Sequence, residues 1–510
     1  MKDLFLGLDV GTTGAKAILI NSAGKVLTSA TSAYSVNVPA PLWSEQNPED
    51  WWTASCQSCQ QVLKAAGIAP DDIAGIGLTG QMHGLVLLGK AGNVLRPCIM
   101  WNDQRTMPQC EQITCDLGYH RLLRLTGNAI LPGFTASKIL WVKENEPEIY
   151  VKIAHILLPK DYVRYRLTGE FATDLSDASG MSLLDVGNRC WSAAMIRYLQ
   201  LSPEWLPQLY ESPVITGTVS KKAALSSGLK EATPVIAGGG DQAAGAVGCG
   251  AVRPGILSVV LGTSGVVFAP VLDWRYEPEG KLHAFCHATP GVWHFMGVTL
   301  SAAGSLRWYR DAFCQSEMRE AQKQKKDVYD RILKPLSDIP AGSNGLLFLP
   351  YLTGERTPWP DPHARGVFFG ITNRHNKPHF TRAVLEGVAY SLNDCLQLIK
   401  QANLPIEQIR VTGGGSKSVL WRQILANVFN TEIVTVSSAD GAPYGAALLA
   451  GVGCGLYKSV EEACDETIKL TTRITPQKQI SELYDSYYQI YRNLYPALKK
   501  QFEQSSLLLS

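Results

Sequence analysis

Net charge is almost absent from this 510-residue chain, in which 47 Lys and Arg stand against 45 Asp and Glu. There is no basic stripe interleaved with aromatics, so neither nucleic acid nor an anionic membrane surface is an expected partner. No stretch approaches the roughly 18 uninterrupted apolar residues of a spanning helix, which argues against a membrane segment. The opening Met1-Lys-Asp-Leu-Phe-Leu-Gly-Leu-Asp9 lacks the long apolar region and small-residue cleavage site of a secretion signal. The cytoplasm is therefore the expected location. Cysteine pairing is missing too. The 12 Cys are scattered, and Cys56 and Cys59, although spaced Cys-x-x-Cys, have no second pair or nearby His, so they read as packing or surface thiols. No Walker A pattern occurs. Gly451-Val-Gly-Cys-Gly455 follows an apolar helix rather than a strand, so it reads as a helix end and not a dinucleotide loop.

What is present is a well-packed globular composition, 45% hydrophobic and 18% charged. Cores usually stop growing below about 300 residues, so two large domains are expected. Leu4, Leu6 and Leu8 lie on one face of a strand ending at Asp9, and a Gly11-Thr-Thr-Gly14 turn follows. Further strands are expected at 16–20 and 26–34. Asn47-Pro48 caps a helix reaching about Ala66, and 73–79 is a buried strand ending at Gly80-Gln-Met-His-Gly84. Residues 255–269 repeat the strand, glycine turn and strand pattern around Gly262-Thr-Ser-Gly265, which puts a boundary near residue 250. The repeat is not exact, because Val260 stands where the first copy has Asp9. Downstream, Phe380, Val384, Val388, Leu392 and Leu396 form an apolar helical stripe. A strand at 408–412 leads into Gly413-Gly-Gly-Ser416 and a helix over 418–429. A strand at 432–437 leads to a loop over 439–445 and an Ala/Leu-rich helix. The charge-dense segment 316–336 reads as a solvated helix face.

Chemistry is expected where strands end in glycine. At such junctions backbone N–H groups converge on an anion with no side chain in the way, and Thr or Ser hydroxyls add donors. Gly11, Thr12 and Thr13, then Gly262, Thr263 and Ser264, then Gly413, Gly414, Gly415 and Ser416 fit the phosphates of a nucleotide. Asp9 at a strand end either holds Mg²⁺ through waters, the usual need where ATP is bound as a substrate, or caps a turn. Asp241 follows a buried strand and Gly238-Gly-Gly240 and precedes a small-residue helix. It either caps that helix or acts as a base toward a hydroxyl.

Several stretches together resemble the FGGY carbohydrate kinase family, within the actin/hexokinase/Hsp70-like ATPase superfamily. Leu8-Asp-Val-Gly-Thr-Thr-Gly14 and Leu261-Gly-Thr-Ser-Gly265 resemble its two phosphate loops. Gly133-Phe-Thr-Ala-Ser-Lys-Ile-Leu-Trp-Val-Lys-Glu-Asn145 resembles one family signature. Gly366-Val-Phe-Phe-Gly-Ile371 with His379-Phe-Thr-Arg-Ala-Val-Leu-Glu386 resembles the other, and Val411-Thr-Gly-Gly-Gly-Ser-Lys-Ser418 the adenosine loop. The resemblance implies an α/β fold of two actin-like (ribonuclease H-like) ATPase domains with a deep interdomain cleft that closes during reaction. It implies a sugar-binding domain over 1–250, a nucleotide-binding domain over 251–485 and a terminal helix or tail over 486–510. ATP and Mg²⁺ are the implied cosubstrate and cofactor, with Ser418 joining the nucleotide residues. Pro41-Leu-Trp-Ser-Glu-Gln46, Gly80-Gln-Met-His-Gly84, Trp101-Asn-Asp-Gln-Arg105 and Leu158-Pro-Lys-Asp-Tyr162 resemble the members that phosphorylate D-xylulose at O5, and not the glycerol kinases. Asp241 is then the implied base, with Gln81, Met82, His83, Trp101, Asp103 and Gln242 around the sugar. Gln242 stands where Asn is the familiar residue. A neutral sugar needs His, Asp and amide groups beside an apolar wall, which this set supplies. Another ketose such as ribulose, a polyol, or an actin-like or Hsp70-like structural ATPase are the alternatives. A homodimer is compatible with the family, and no sequence feature decides it.

Overall fold

Apolar residues on both faces make the first strand, β1 (Leu4–Val10), a central one. The computed structural model describes residues 3–437 and 440–508, so Ala439 and Ser510, which open the expected 439–445 loop and close the expected tail, lie outside the described residues. β1 pairs antiparallel with β2 (Gly14–Asn21), which pairs with β3 (Val26–Ala33), and parallel with β4 (Ile73–Gly80). β5 (Ile215–Thr218), β6 (Pro234–Ile236) and the two-residue β7 (Gly239–Gly240) complete a seven-stranded sheet ordered β5-β6-β4-β1-β2-β3, with β7 also on β4. The crossover to β4 is the helix Pro48–Ala66. Asn47 caps it by accepting from Glu49 N–H, and Gly67 ends it in the left-handed region. Cys56 and Cys59 are buried free thiols in this helix.

β8 (Gly255–Leu261) repeats the arrangement. It pairs antiparallel with β9 (Gly265–Val271) and parallel with β11 (Ile406–Thr412), with β10 (Trp293–Thr299) beside β9. β12 (Ile433–Val436) and β13 (Leu470–Ile474) extend this sheet, and within it the run β10-β9-β8-β11 matches the run β3-β2-β1-β4 of the first sheet. Val260 and Leu261 thus occupy in β8 the places that Asp9 and Val10 have in β1.

The chain divides into two compact units that are not continuous in sequence. One is Met1–Arg253, Pro270–His294 and Asp440–Lys469; the other is Pro254–Ala269, Phe295–Ala439 and Leu470–Ser510. The late segment belongs to the first unit because the helix Gly441–Gly453 lies on that unit's own sheet. A Cβ added at Gly7 or Gly77 would stand 1.9 Å from Pro443 O or Ala446 O. The same helix crosses the helix Asp241–Cys249 backbone to backbone. Cβ atoms at Gly248 and Gly445 would stand 2.1 Å from Gly441 O and 1.8 Å from Ala244 O.

In the second unit the expected apolar stripe lies on the helix Lys377–Gln401. Burial there is wider than one face, and Ala383 through Leu396 are all buried. The charge-dense segment is helical with its charged side chains largely exposed, as expected, and only Ala321, Ile332 and Leu336 are buried. It forms the helices Gln315–Gln324 and Val328–Leu333, and the second contributes to a cavity wall. The last helix spans Lys478–Leu507. No helix among the described residues is long and apolar enough to cross a membrane.

Candidate active site

Parallel strands deliver their carboxyl ends to one edge of a sheet, and the register of the first sheet does this for its acidic and amide residues. Asp9 and Val10 of β1 lie level with Thr79 and Gly80 of β4, which lie level with Gly239 and Gly240 of β7. Asp9, Gln81 and Asp241 therefore emerge side by side from three neighbouring strands.

The two carboxyls are electrostatically unusual. Burial pushes Asp9 up to about 7, the charge of Asp241 adds to the effect, and Lys16 opposes it. Lys16 is the cross-strand neighbour of Asp9 on β2, and its Nζ also lies 2.5 Å from Asp440 Oδ1. Asp9 Oδ1 is buried with no hydrogen-bond partner among the described residues. An acceptor left open in this way fits a cation. No group of three or more His, Cys, Asp or Glu among the described residues is arranged to hold a metal, so water would supply most ligands of an ion at Asp9. Asp241 opens its helix, and burial pushes its carboxyl up to about 6. Hydrogen bonds from the backbone and side chain of Gln242 partly offset that rise. Gln242 is thus engaged with the Asp241 carboxyl itself.

Gln81 accounts for half of its own amide. Its Nε2 donates to Gln46 Oε1 at 3.1 Å and Gly11 O at 3.3 Å, whereas its Oε1 is buried and has no partner among the described residues. His83 holds a left-handed backbone with φ of 71°, a strained conformation for a residue of its size. Its Nδ1–H donates to Gly180 O at 2.7 Å, and its ring stacks on Phe134 with centroids 4.5 Å apart. Gly180 must lack a side chain, because a Cβ there would lie 2.4 Å from His83 Nδ1. Met82 packs on Gly240, where a Cβ would lie 2.9 Å from its Sδ. Asp103 is placed differently. It is fully buried, with both oxygens taken up by the Arg105 guanidinium and by the N–H groups of Ser44 and Arg105. That engagement separates it from Asp9, whose Oδ1 is left open.

The first glycine turn is braced from three sides. Tyr34 donates to Gly11 O at 2.6 Å, Gln46 to Thr12 O at 2.7 Å, and Trp101 Nε1 to Thr12 Oγ1 at 3.1 Å. The Thr13 side chain is exposed.

The second unit carries a cavity of about 460 Å³. Gly262, Thr263, Gly414, Gly415 and Ser418 line it; Ser264, Gly413 and Ser416 do not. The two loops meet because Gly413 has φ of 86° and leaves no room for a side chain, a Cβ there standing 2.7 Å from Leu261 O. Ser416 Oγ donates back to Gly413 O, and Ser418 caps the helix Val419–Phe429 by accepting from Trp421 N–H. Glycine backbone at Gly414 and Gly415, the Thr263 hydroxyl, Lys417 and apolar Leu306, Leu333 and Trp421 suit a heterocycle joined to an anion.

The family models for the N-terminal and C-terminal domains of the FGGY carbohydrate kinases match residues 4–248 and 257–454. The chain belongs to the FGGY family of carbohydrate kinases. This FGGY kinase is 40% identical to the xylulose kinase of Escherichia coli (strain K12) over 508 residues, 97% of this chain and 99% of that one. It is 39% identical to the xylulose kinase of Bacillus subtilis (strain 168) over 494 residues, 97% of each. Among solved structures it is similar to a xyloylose kinase from Brucella ovis, with a TM-score of 0.88, 38% identity, and 98% of this chain and 100% of that one covered. With the two sheets, these matches show the actin-like kinase fold of two domains.

Sequence reasoning on this kinase missed residues whose partners are remote. Asp327, Tyr329 and Asp330 of the charge-dense segment line the cavity, as does Gly304, which passes close to Thr263 O. Only their alternation with buried Ile332 and Leu336 hinted at a face turned inward. Gly180 had no local signal at all.

Proposed function

We propose that this FGGY kinase transfers the γ-phosphoryl group of ATP to O5 of D-xylulose, giving D-xylulose 5-phosphate and ADP. The observation that carries the reading is the convergence of Asp241, Asp9 and Gln81 at adjacent strand ends, with the Asp241 carboxyl pushed up to about 6. A carboxylate with that proton affinity is largely ionised at neutral pH and still basic enough to take a hydroxyl proton. The names of the similar proteins support xylulose as the acceptor.

Asp241 receives the proton of the attacking hydroxyl, and Gln242 keeps the carboxylate oriented through its two hydrogen bonds. Gln81 Oε1, open and buried, accepts from another sugar hydroxyl, while Met82, His83 and Trp101 bound the sugar. Asp103, whose oxygens are engaged by Arg105 and Ser44, contributes to the sugar site through Arg105. Gly11, Thr12 and Thr13 are assigned to phosphate binding, and Gly262, Thr263, Gly414, Gly415 and Ser418 around the cavity to the nucleotide, with Ser264, Gly413 and Ser416 shaping the loops that carry them. Asp9 fits Mg²⁺ held through water, and a bound Mg²⁺ would offset charge on the transferring group. The enzyme works as a cytoplasmic protein, where ATP and free sugar meet, and a homodimer is the assembly we expect.

The test measures ADP release by the purified protein with D-xylulose, D-ribulose, other pentoses, hexoses, polyols, and no sugar. D-Xylulose is expected to give the highest kcat/KM. A tenfold higher value for another acceptor, or sugar-independent hydrolysis, would sink the assignment.

A further inference from the structure

Behind Asp241 stands a group of charged side chains that the phosphoryl transfer does not use. Lys160, Asp161, Asp174 and Asp177 are fully buried, and Lys160 Nζ lies 2.5, 2.8 and 3.5 Å from the three carboxylates in that order. Three acidic groups around one ammonium are costly to bury, and such clusters fix geometry more readily than they add stability. Asp174 uses Oδ1 for Lys160 and turns Oδ2 the other way. Oδ2 accepts from Ser176 N–H at 2.7 Å and from the Ser176 hydroxyl. With its proton committed to Asp174, the Ser176 hydroxyl can only accept on its other side, and there it takes the Gly240 N–H at 3.0 Å. Gly240 is the residue immediately before Asp241.

Besides the pairing of β7 with β4 and the Gly238 N–H donated to Ser212 O at 3.1 Å, the backbone here has no side chains to hold it. Gly238-Gly-Gly240 has no side chains to pack, Gly238 is left-handed with φ of 83°, and β7 is only two residues long. Three successive glycines are a free hinge unless hydrogen bonds restrain them. Space also favours the contact, because a Cβ on Gly239 would stand 3.4 Å from Ser176 Oγ.

We propose that Ser176 is a positioning residue for Asp241, its hydroxyl transmitting the fixed place of the buried Lys160–Asp174 pair to the Gly240 amide. The proposal rests on Asp241 being the base. Misplacing a reacting group by about 1 Å can cost roughly 10²-fold in rate, so the effect belongs in kcat and not in substrate binding.

The experiment compares wild type, Ser176→Ala, Ser176→Cys and Asp241→Asn by kcat, KM for sugar, KM for ATP, and thermal melting. Ser176→Ala is expected to lower kcat about 10–100-fold, with both KM values within about threefold of wild type. Ser176→Cys, which keeps the shape with a weaker acceptor, should fall between the two and provides the same comparison if the alanine variant does not fold. A kcat within twofold of wild type for the folded variants overturns the proposal. So does a parallel loss of kcat, both KM values and melting temperature, which marks a structural role alone. If Asp241→Asn keeps more than a tenth of wild-type kcat, the base assignment falls and Ser176 has nothing to position. If Asp241→Asn is inactive and Ser176→Ala is not impaired, only the positioning proposal fails.

Discussion

At the scale of single residues, the decisive group is Asp241. Asn has nearly the same shape and can still open the helix Asp241–Cys249, so Asp241→Asn should fold normally. A general base contributes typically 10²–10⁴-fold, and the variant's kcat should drop by about that factor. Retention of more than about a tenth of wild-type kcat, with normal melting, would remove the base assignment. As the proposed base, the same carboxyl would set a pH dependence. It is raised to about 6, so it is protonated and inert below that pH and ionised above it. Wild-type kcat for the sugar should fall about tenfold per pH unit below about 6. A flat acid limb between pH 7 and 5 would assign the proton transfer elsewhere.

Elements show where backbone proximity, and not side-chain chemistry, holds the site. Helices Asp241–Cys249 and Gly441–Gly453 touch through Gly248 and Gly445, and a Cβ on Gly445 would stand 1.8 Å from Ala244 O. Gly445→Ala must push apart the helix that begins with Asp241. A loss of about 1–3 kcal/mol or more is expected from such overpacking, read by urea unfolding. A variant as stable as wild type would mean that the helix pair can separate freely. The helix Lys377–Gln401 carries a second testable group, Asp394. Burial pushes it up to about 7, and a 2.6 Å hydrogen bond from Tyr488 and the charge of Arg492 compensate only in part. Its folded value lies above the unfolded one, so the folded state holds the proton more tightly. The stability this contributes is full below about pH 4 and is lost as pH rises through 7. Asp394→Asn keeps an acceptor for Tyr488 without the charge. Its melting temperature relative to wild type should therefore rise between pH 5 and 8, by about 2–4 °C per kcal/mol. An advantage that shrinks with pH counts against the assignment.

The whole molecule divides its labour between two compact units. The residues proposed to hold the sugar, from Gln81 to His83 and Asp241, belong to one, and the cavity lined by Gly262, Gly414 and Gly415 belongs to the other. Removing an imidazole from the first should leave the second intact. His83→Ala, which removes one wall of the proposed sugar pocket, is accordingly expected to raise KM for the sugar about tenfold and to change KM for ATP less than twofold. Equal loss for both substrates would make His83 a structural residue, held by Gly180 and Phe134 for packing alone.

Local chemistry was legible in the amino-acid order. The strand ending at Asp9, the glycine turns, the Asn47 cap and the helix opening at Asp241 each depend on residues within a few positions of one another. The repeated strand pattern at β8 could be read for the same reason, since alternation and turn glycines are local signals. What the tertiary structure alone decided are the pairings between distant parts of the chain. These include the register that brings Thr79 level with both Asp9 and Gly239, the Ser176 hydroxyl beneath Gly240, the enclosure of Asp103 by Arg105 and Ser44, and the place of Asp327, Tyr329 and Asp330 at the rim of the cavity. A side chain's propensities are carried by its own type and near neighbours. Whether it meets solvent, a backbone amide or another charge depends on which remote segment the packed core places against it.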